Sequence, residues 1–237
     1  MKRMTLAAVS ALCLAAALTA CGSSDKDTDS KSEPTKATAS PSKTLSPAEQ
    51  VAQLMVTEAE SGGYSVKKPA EGDALAKSQA EMSVDKAVCA PLAYAMNELP
   101  VGTPEATLTH VANKSTGMLT YITLSTYADG KAAAAMKSLS TAAGSCGSGF
   151  TAKSDSGSTT YDSVTVETAP SGGDESGATA ATFKFQGFTQ TIRTQTFRFG
   201  DTIANYFTLD SSAFMNAHAG TAKIPADLVT VQNAKLG

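Results

Sequence analysis

The chain has 237 residues, 42% of them hydrophobic and 17% charged, with a formal net charge of −3. The hydrophobic share is ordinary for a globular protein, and the length allows one domain with a full core behind a leader and a spacer. A mildly acidic chain without a basic block lacks the charge that neutralises phosphates, so nucleic acid is excluded as a partner.

Lys2 and Arg3 make a positive start, and residues 5–18 are apolar, uncharged and rich in Ala and Leu. Such a run makes roughly 21 Å of helix, short of the roughly 30 Å hydrocarbon core, which suits the apolar part of an export signal and not a spanning helix. It ends in Leu18-Thr19-Ala20-Cys21, which resembles the lipobox of bacterial lipoproteins. The resemblance implies cleavage between Ala20 and Cys21 and a diacylglyceryl group on the Cys21 thiol, whose two acyl chains anchor stably where one holds only marginally. The expected organisation is a signal peptide over 1–20, a lipidated Cys21 and tether over 21–45, and an extracytoplasmic domain over 46–237, held at the outer face of the cell membrane.

The tether, rich in Ser, Asp, Lys, Thr and Pro, cannot bury enough apolar surface to offset its ordering entropy and reads as a disordered spacer. Its mean reach is about 25–30 Å. Asp25, Asp27 and Asp29 mimic the start of a calcium loop, but Ser30 stands where the glycine belongs and Lys36 where the distal acid belongs. A solvated charge run is the expectation, with no metal and no cofactor.

Ser46-Pro47-Ala48-Glu49 opens a helix with a capping box, an apolar stripe at Val51, Leu54 and Met55, and a stop at Ser61-Gly62-Gly63. A short strand is predicted over 64–68. A second helix is predicted over 86–98, with Val88, Leu92, Met96 and Leu99 on one face; Pro91 either starts its main part or kinks its first turn. Strands follow at 106–112, which carries the lone His110, and at 118–127, where apolar residues on both faces mark a central strand. An Ala-rich helix is predicted over 129–143 with Asp129 as its cap. The glycine-rich stretch 144–149 lacks the Lys and Ser/Thr of a phosphate loop and reads as a turn into a strand at Phe150.

Of four cysteines, Cys13 leaves with the leader and Cys21 takes the lipid, so Cys89 and Cys146 remain. Outside the cytoplasm an isolated pair reads as a disulfide. Its loop of roughly 60 residues is worth roughly 4 kcal/mol in the loop-entropy model. The alternative, a metal or redox pair, has no C-x-x-C and only His110 and His218 to assist.

The last third is β-rich, with strands at 161–168, 179–185, 188–199 and 202–209 and an acidic turn at 171–177. Gly200-Asp201 is a two-residue hairpin signal that sets Phe199 against Thr202 and Arg198 against Ile203. One face of the hairpin then carries Ile192, Ile203, Phe207 and Leu209, and the other Phe197, Phe199 and Tyr206 with Arg193 and Gln195. Both faces are therefore covered, or one lines a groove. Residues 213–219 read as a short helix or loop, and 225–235 as a closing helix with Leu228, Val229 and Gln232. The fold class is α+β: an antiparallel β-sheet with helices packed against it, a single domain stapled by one disulfide.

Cys89-Ala90-Pro91-Leu92, the run Cys146-Gly147-Ser148-Gly149-Phe150 and the hairpin Thr196-Phe197-Arg198-Phe199-Gly200-Asp201 resemble actinobacterial secreted lipoproteins of unknown function and, more distantly, the PknH-like extracellular sensor domains. The resemblance covers roughly 46–237 and implies an antiparallel sheet with packed helices and a ligand cleft. The expected function is a ligand-binding or sensor-like domain for a small-molecule or cell-wall ligand. Either Arg193 or Arg198 would serve as the anion-binding group, and Tyr206 as an apolar wall. The two arginines project to opposite faces, so one groove uses one of them; alternatively both pair with Asp or Glu. The other expected function is a non-catalytic partner-binding or scaffolding lipoprotein of the cell envelope. No nucleophile–base, zinc-protease or paired-carboxylate motif is present, so the chain is not read as an enzyme.

Overall fold

The computed structural model describes residues 45–114 and 117–237. The lipobox with Cys21, the Asp25–Asp27–Asp29 run and the tether up to residue 44 lie outside the described residues. No helix among the described residues is long and apolar enough to cross a membrane.

The helices are α1 (Pro47–Leu54), α2 (Ala90–Ala95), α3 (Lys131–Ser145), α4 (Ser211–Met215) and α5 (Ala226–Asn233). The strands are β1 (Ser65–Lys67), β2 (Ser83–Val84), β3 (Ala106–Asn113), β4 (Met118–Thr126), β5 (Phe150–Ser154), β6 (Gly157–Glu167), β7 (Glu175–Phe185), β8 (Phe188–Phe199), β9 (Thr202–Asp210) and β10 (Gly220–Thr221). They form one sheet in the order β1-β3-β4-β9-β8-β7-β6-β5-β2, with every neighbour on this path antiparallel. The two-residue β10 pairs parallel with Gln190 and Thr191 of β8, past the point where β9 ends. Gly220 allows this approach, because a Cβ there would run into Gln190 and Ala213. The result is the expected α+β domain.

Strand alternation and the hairpin register hold as read: Phe199 faces Thr202 and Arg198 faces Ile203. The two faces carry two cores. On the first, Ile192, Ile203 and Phe207 pack with Leu92 of α2, Met96 at its C-terminal cap, and Met136 and Leu139 of α3. On the second, Phe197, Ala204 and Tyr206 pack with Val51 of α1 and Leu228 and Val229 of α5. A sheet buried on both sides has no solvent for its polar side chains, and threonines placed directly opposite one another bond together. Thr109 and Thr123 meet at 3.0 Å, Thr120 and Thr208 at 3.0 Å, and Thr179 and Thr194 at 2.7 Å.

The helices depart from expectation in instructive ways. The capping box of α1 is present, with the Ser46 amide donating to Glu49 at 2.8 Å and the Glu49 amide to Ser46 at 3.3 Å. The helix stops at Leu54, however, well before Ser61. Gln232 of α5 takes over its end: Nε2 donates to the Leu54 carbonyl at 2.8 Å and Oε1 accepts from the Val56 amide at 2.8 Å. The segment predicted over 86–98 is a 3₁₀ turn, Ala87–Cys89, followed by a six-residue α2 with Pro91 in its first turn. Leu92, Met96 and Leu99 are buried, but Val88 lies on the 3₁₀ turn and is 46% exposed. Asp129 does not cap α3; the cap position is Gly130 at φ 72°, with no side-chain bond.

Cys89 and Cys146 form the expected disulfide, with Cα atoms 5.9 Å apart and both residues fully buried in the first core. It joins the turn before α2 to the end of α3. A sequence separation of 57 gives about 4 kcal/mol of loop-entropy stabilisation. Replacing both cysteines by alanine is therefore expected to lower the urea-unfolding free energy by about 2–5 kcal/mol. A loss below about 1 kcal/mol would show that packing of α2 on α3 suffices without the bond.

Candidate functional site

The six-residue length of α2 shapes the first face. After its last turn the chain reverses at Glu98, a non-glycine residue in the left-handed region at φ 63°. Such a residue costs of order 1–3 kcal/mol and is most common at sites where geometry outranks stability. Below it, five adjacent strands pave an open cavity of 390 Å³: Tyr121 of β4, Phe207 and Leu209 of β9, Ile192 of β8, Phe183 and Phe185 of β7, and Tyr161 of β6. The loop 72–75 and Phe214 of α4 close its sides. Tyr121 and Phe207 stack at 5.6 Å between ring centroids. Tyr161, Phe183, Phe214 and Phe185 form a continuous chain of ring contacts at 5.9, 6.0 and 4.9 Å.

Ser156, Ser158 and Thr159 line one side of the cavity, and the polar groups around Glu98 fall into two kinds. Asn97 is committed: its amide donates to the Ala93 carbonyl at 2.7 Å and to the Tyr161 hydroxyl at 3.2 Å. Glu98 and Tyr121 are not, since neither side chain has a hydrogen-bond partner among the described residues. Burial, reinforced by the nearby charge of Asp73, pushes the Glu98 carboxyl up to about 7. Tyr121 is 4% exposed, and burial together with Glu98 and Asp73 raises its phenol above the usual tyrosine range. Asp73 sits exposed at the rim, one oxygen accepting from the Ala70 amide at 3.0 Å. Among the described residues no three of His, Cys, Asp and Glu come together as a metal set.

Two other hollows differ in kind. A groove of 540 Å³ lies between α3 and the strands β6–β8, walled by Met136, Leu139 and Ala143. Its floor threonines are already satisfied, Thr179 with Thr194 and Thr196 with Asn205 at 2.8 Å. A second, of 310 Å³, lies between β8 and α5 beside the last hairpin and is lined by Phe197 and Phe199. Tyr206 is wholly buried beside it and donates to Asn233 at 2.7 Å.

Nor are the predicted arginines brought together or into a cavity. Arg193 pairs with Glu167 at 3.0 Å and donates to the Ala222 carbonyl on the second face. Arg198, on the first face, pairs with Asp174 at 3.0 Å and Glu175 at 2.9 Å and reaches the Gly200 carbonyl. Neither arginine, nor Tyr206, lines any of the three hollows. The residues missed by sequence reasoning are Glu98, Asp73 and Tyr121. The one available signal was a glutamate at a helix end, where glycine or asparagine is usual.

Fold and cavity together define a disulfide-stapled α+β domain with an aromatic hollow in one sheet face. Among solved structures the chain is similar to the extracellular domain of PknH from Mycobacterium tuberculosis, with 9% identity over 78% of this chain and 91% of that one and a TM-score of 0.46. It is also similar to an uncharacterised Mycobacterium smegmatis protein, the ortholog of Rv0999, with 11% identity over 79% of this chain and 93% of that one and a TM-score of 0.37. PknH is the same neighbour that the sequence resemblance named. No family model matches the chain, and no curated protein does.

The state of Glu98 makes stability pH-dependent. Its folded pKa stands above the unfolded value, so the folded protein holds the extra proton between 4.5 and about 7, and stability falls as pH rises through that window. Glu98→Gln is expected to flatten this slope and to be the more stable protein at pH 8. Urea midpoints at pH 5 and pH 8 check it; an unchanged slope in the variant would assign the effect elsewhere.

Proposed function

We propose that the chain is a lipoprotein anchored through a diacylglyceryl group on Cys21 at the extracytoplasmic face, and that its domain binds a small ligand in the cavity beneath Glu98, as a sensor-like module. The anchor rests on the sequence 18–21 and its apolar run. One observation carries the binding function: a desolvated carboxyl without a partner, on left-handed backbone, at the mouth of an aromatic hollow. Left-handed backbone and an unpartnered, desolvated carboxyl both cost folding free energy, and neither contributes to the packing of the core. The hollow lies in the size range of small-molecule sites, and its lining joins an aromatic floor to polar groups at its edge. Binding fits better than catalysis, since the sequence carries no nucleophile–base motif.

Exposed apolar side chains favour a second function, docking of a protein partner over the cavity mouth. Phe185 and Phe188 face each other at the β7–β8 turn and are 37% and 41% exposed, and Met215, next to Phe214, is 76% exposed.

A fragment panel screened by NMR against the full chain tests the first function. Hits are expected to shift the resonances of Phe183, Phe185 and Phe214 and to weaken several-fold in Phe185→Ala. Shifts confined to the α3 groove would move the site. The anchor is tested separately: Cys21→Ser is expected to lose acyl labelling and pass from the membrane fraction to the soluble one.

A further inference from the structure

Given the ligand-binding function proposed above, on which this assignment rests, the lining of the cavity restricts the chemistry of its occupant. Its charged side chains are both acidic, Glu98 at the mouth and Asp73 at the rim, and no Lys, Arg or His lines it. Lys67 shares with Asp73 and Tyr121 a neighbouring hollow of 130 Å³. Six rings, from Tyr121, Tyr161, Phe183, Phe185, Phe207 and Phe214, complete the walls. Aromatic faces carry the negative part of the ring quadrupole and attract cations. An anion would meet two carboxylates here. A neutral apolar ligand would leave Glu98 desolvated and uncompensated. A hard metal ion needs six or more oxygens, and among the described residues no three of His, Cys, Asp and Glu come together here to supply its charged ligands.

We infer that the cavity takes an ammonium cation carried on a compact apolar body, with the charge set against Glu98 and the methyl or methylene groups against the rings. Tyr121, 4% exposed with an unpartnered hydroxyl, supplies a further polar contact within the cavity. Binding of such a cation favours ionised Glu98, so affinity rises with pH as the carboxyl loses its proton. The other titratable groups that face it are Asp73 from the 72–75 loop, Tyr121 from β4 and Tyr161 from β6, with Lys67 of β1 beyond Asp73.

Choline and its neutral carbon isostere, 3,3-dimethyl-1-butanol, separate charge from shape. Titrated by NMR into the full chain in non-ionic detergent, choline is expected to bind at least fivefold more tightly than the alcohol at pH 8, with shifts at Phe183, Phe185 and Tyr121. The preference should shrink at pH 5.5. In Glu98→Gln it should be lost at both pH values, while Phe185→Ala weakens choline without abolishing the preference. Equal binding of the two probes in this cavity would overturn the ammonium assignment and leave the ligand site standing. A preference for choline that persists in Glu98→Gln would also overturn it, moving the charge recognition off Glu98. No shift at the lining residues with either probe would overturn both the assignment and the site.

Discussion

Burial of the sheet on both faces is the constraint on which the rest depends. Side chains along β4, β9 and the middle of β8 are buried against the α2–α3 layer on one face or the α1–α5 layer on the other, so polar residues there must find partners within the sheet. Threonine solves this twice over. Its β-branch suits the strand, and its hydroxyl reaches the hydroxyl directly opposite. Thr107 with Ser125 and Ser163 with Thr182 extend the same device to the partly buried margins, at 3.0 and 2.8 Å. An unpaired buried hydroxyl costs about 1–3 kcal/mol, so these pairs also oppose slippage: a shift by one residue would unmake them all. Among the described residues the wholly buried polar atoms left unpaired are Thr126 Oγ1 and His110 Nδ1, on β4 and β3.

The aromatic hollow arises from the same arrangement. Helices cover the first face only as far as α2 reaches, and α2 is cut short by a proline start and a left-handed stop. Where helix is missing, the face is filled from the strand side by rings. Those rings are partly positioned by the staple. Gly149, three residues after Cys146, lies so close to the Tyr161 carbonyl that a Cβ would overlap it, and Tyr161 is one of the cavity's walls. Core and site thus share the disulfide end of α3.

Strands were the most legible part of the chain. β4, β8 and β9 combine β-branched and aromatic residues at period two, and Gly200-Asp201 fixes their register locally. The two cores were legible for the same reason, down to which of Ile192 and Phe197 belongs to which. β2 and β10 escaped notice because two residues carry no period. The extent of α2 escaped because a 3₁₀ turn and an α-helix place the same side chains inward for one turn, and Val88 alone tells them apart. Of the two roles the arginines had in sequence, pairing with acids is the one present; the particular partners, Glu167, Asp174 and Glu175, were not legible because they lie more than twenty residues away on neighbouring segments. Glu98 was illegible for a deeper reason: its place at the cavity mouth depends on what fails to cover it, and an absence of covering helix leaves no mark in the residues themselves.

The Gln232 amide has a temporal consequence. It holds the end of α1 across 176 positions of chain, and Tyr64 with Asp227 and Lys235 with Glu60 brace the same junction at 3.0 and 2.8 Å. A polypeptide that emerges from its N-terminus onward must therefore wait with α1 unseated until α5 has appeared. The layer made of α1 and α5 is thus completed late, and a tail shortened to before Gln232 would strand α1 as well.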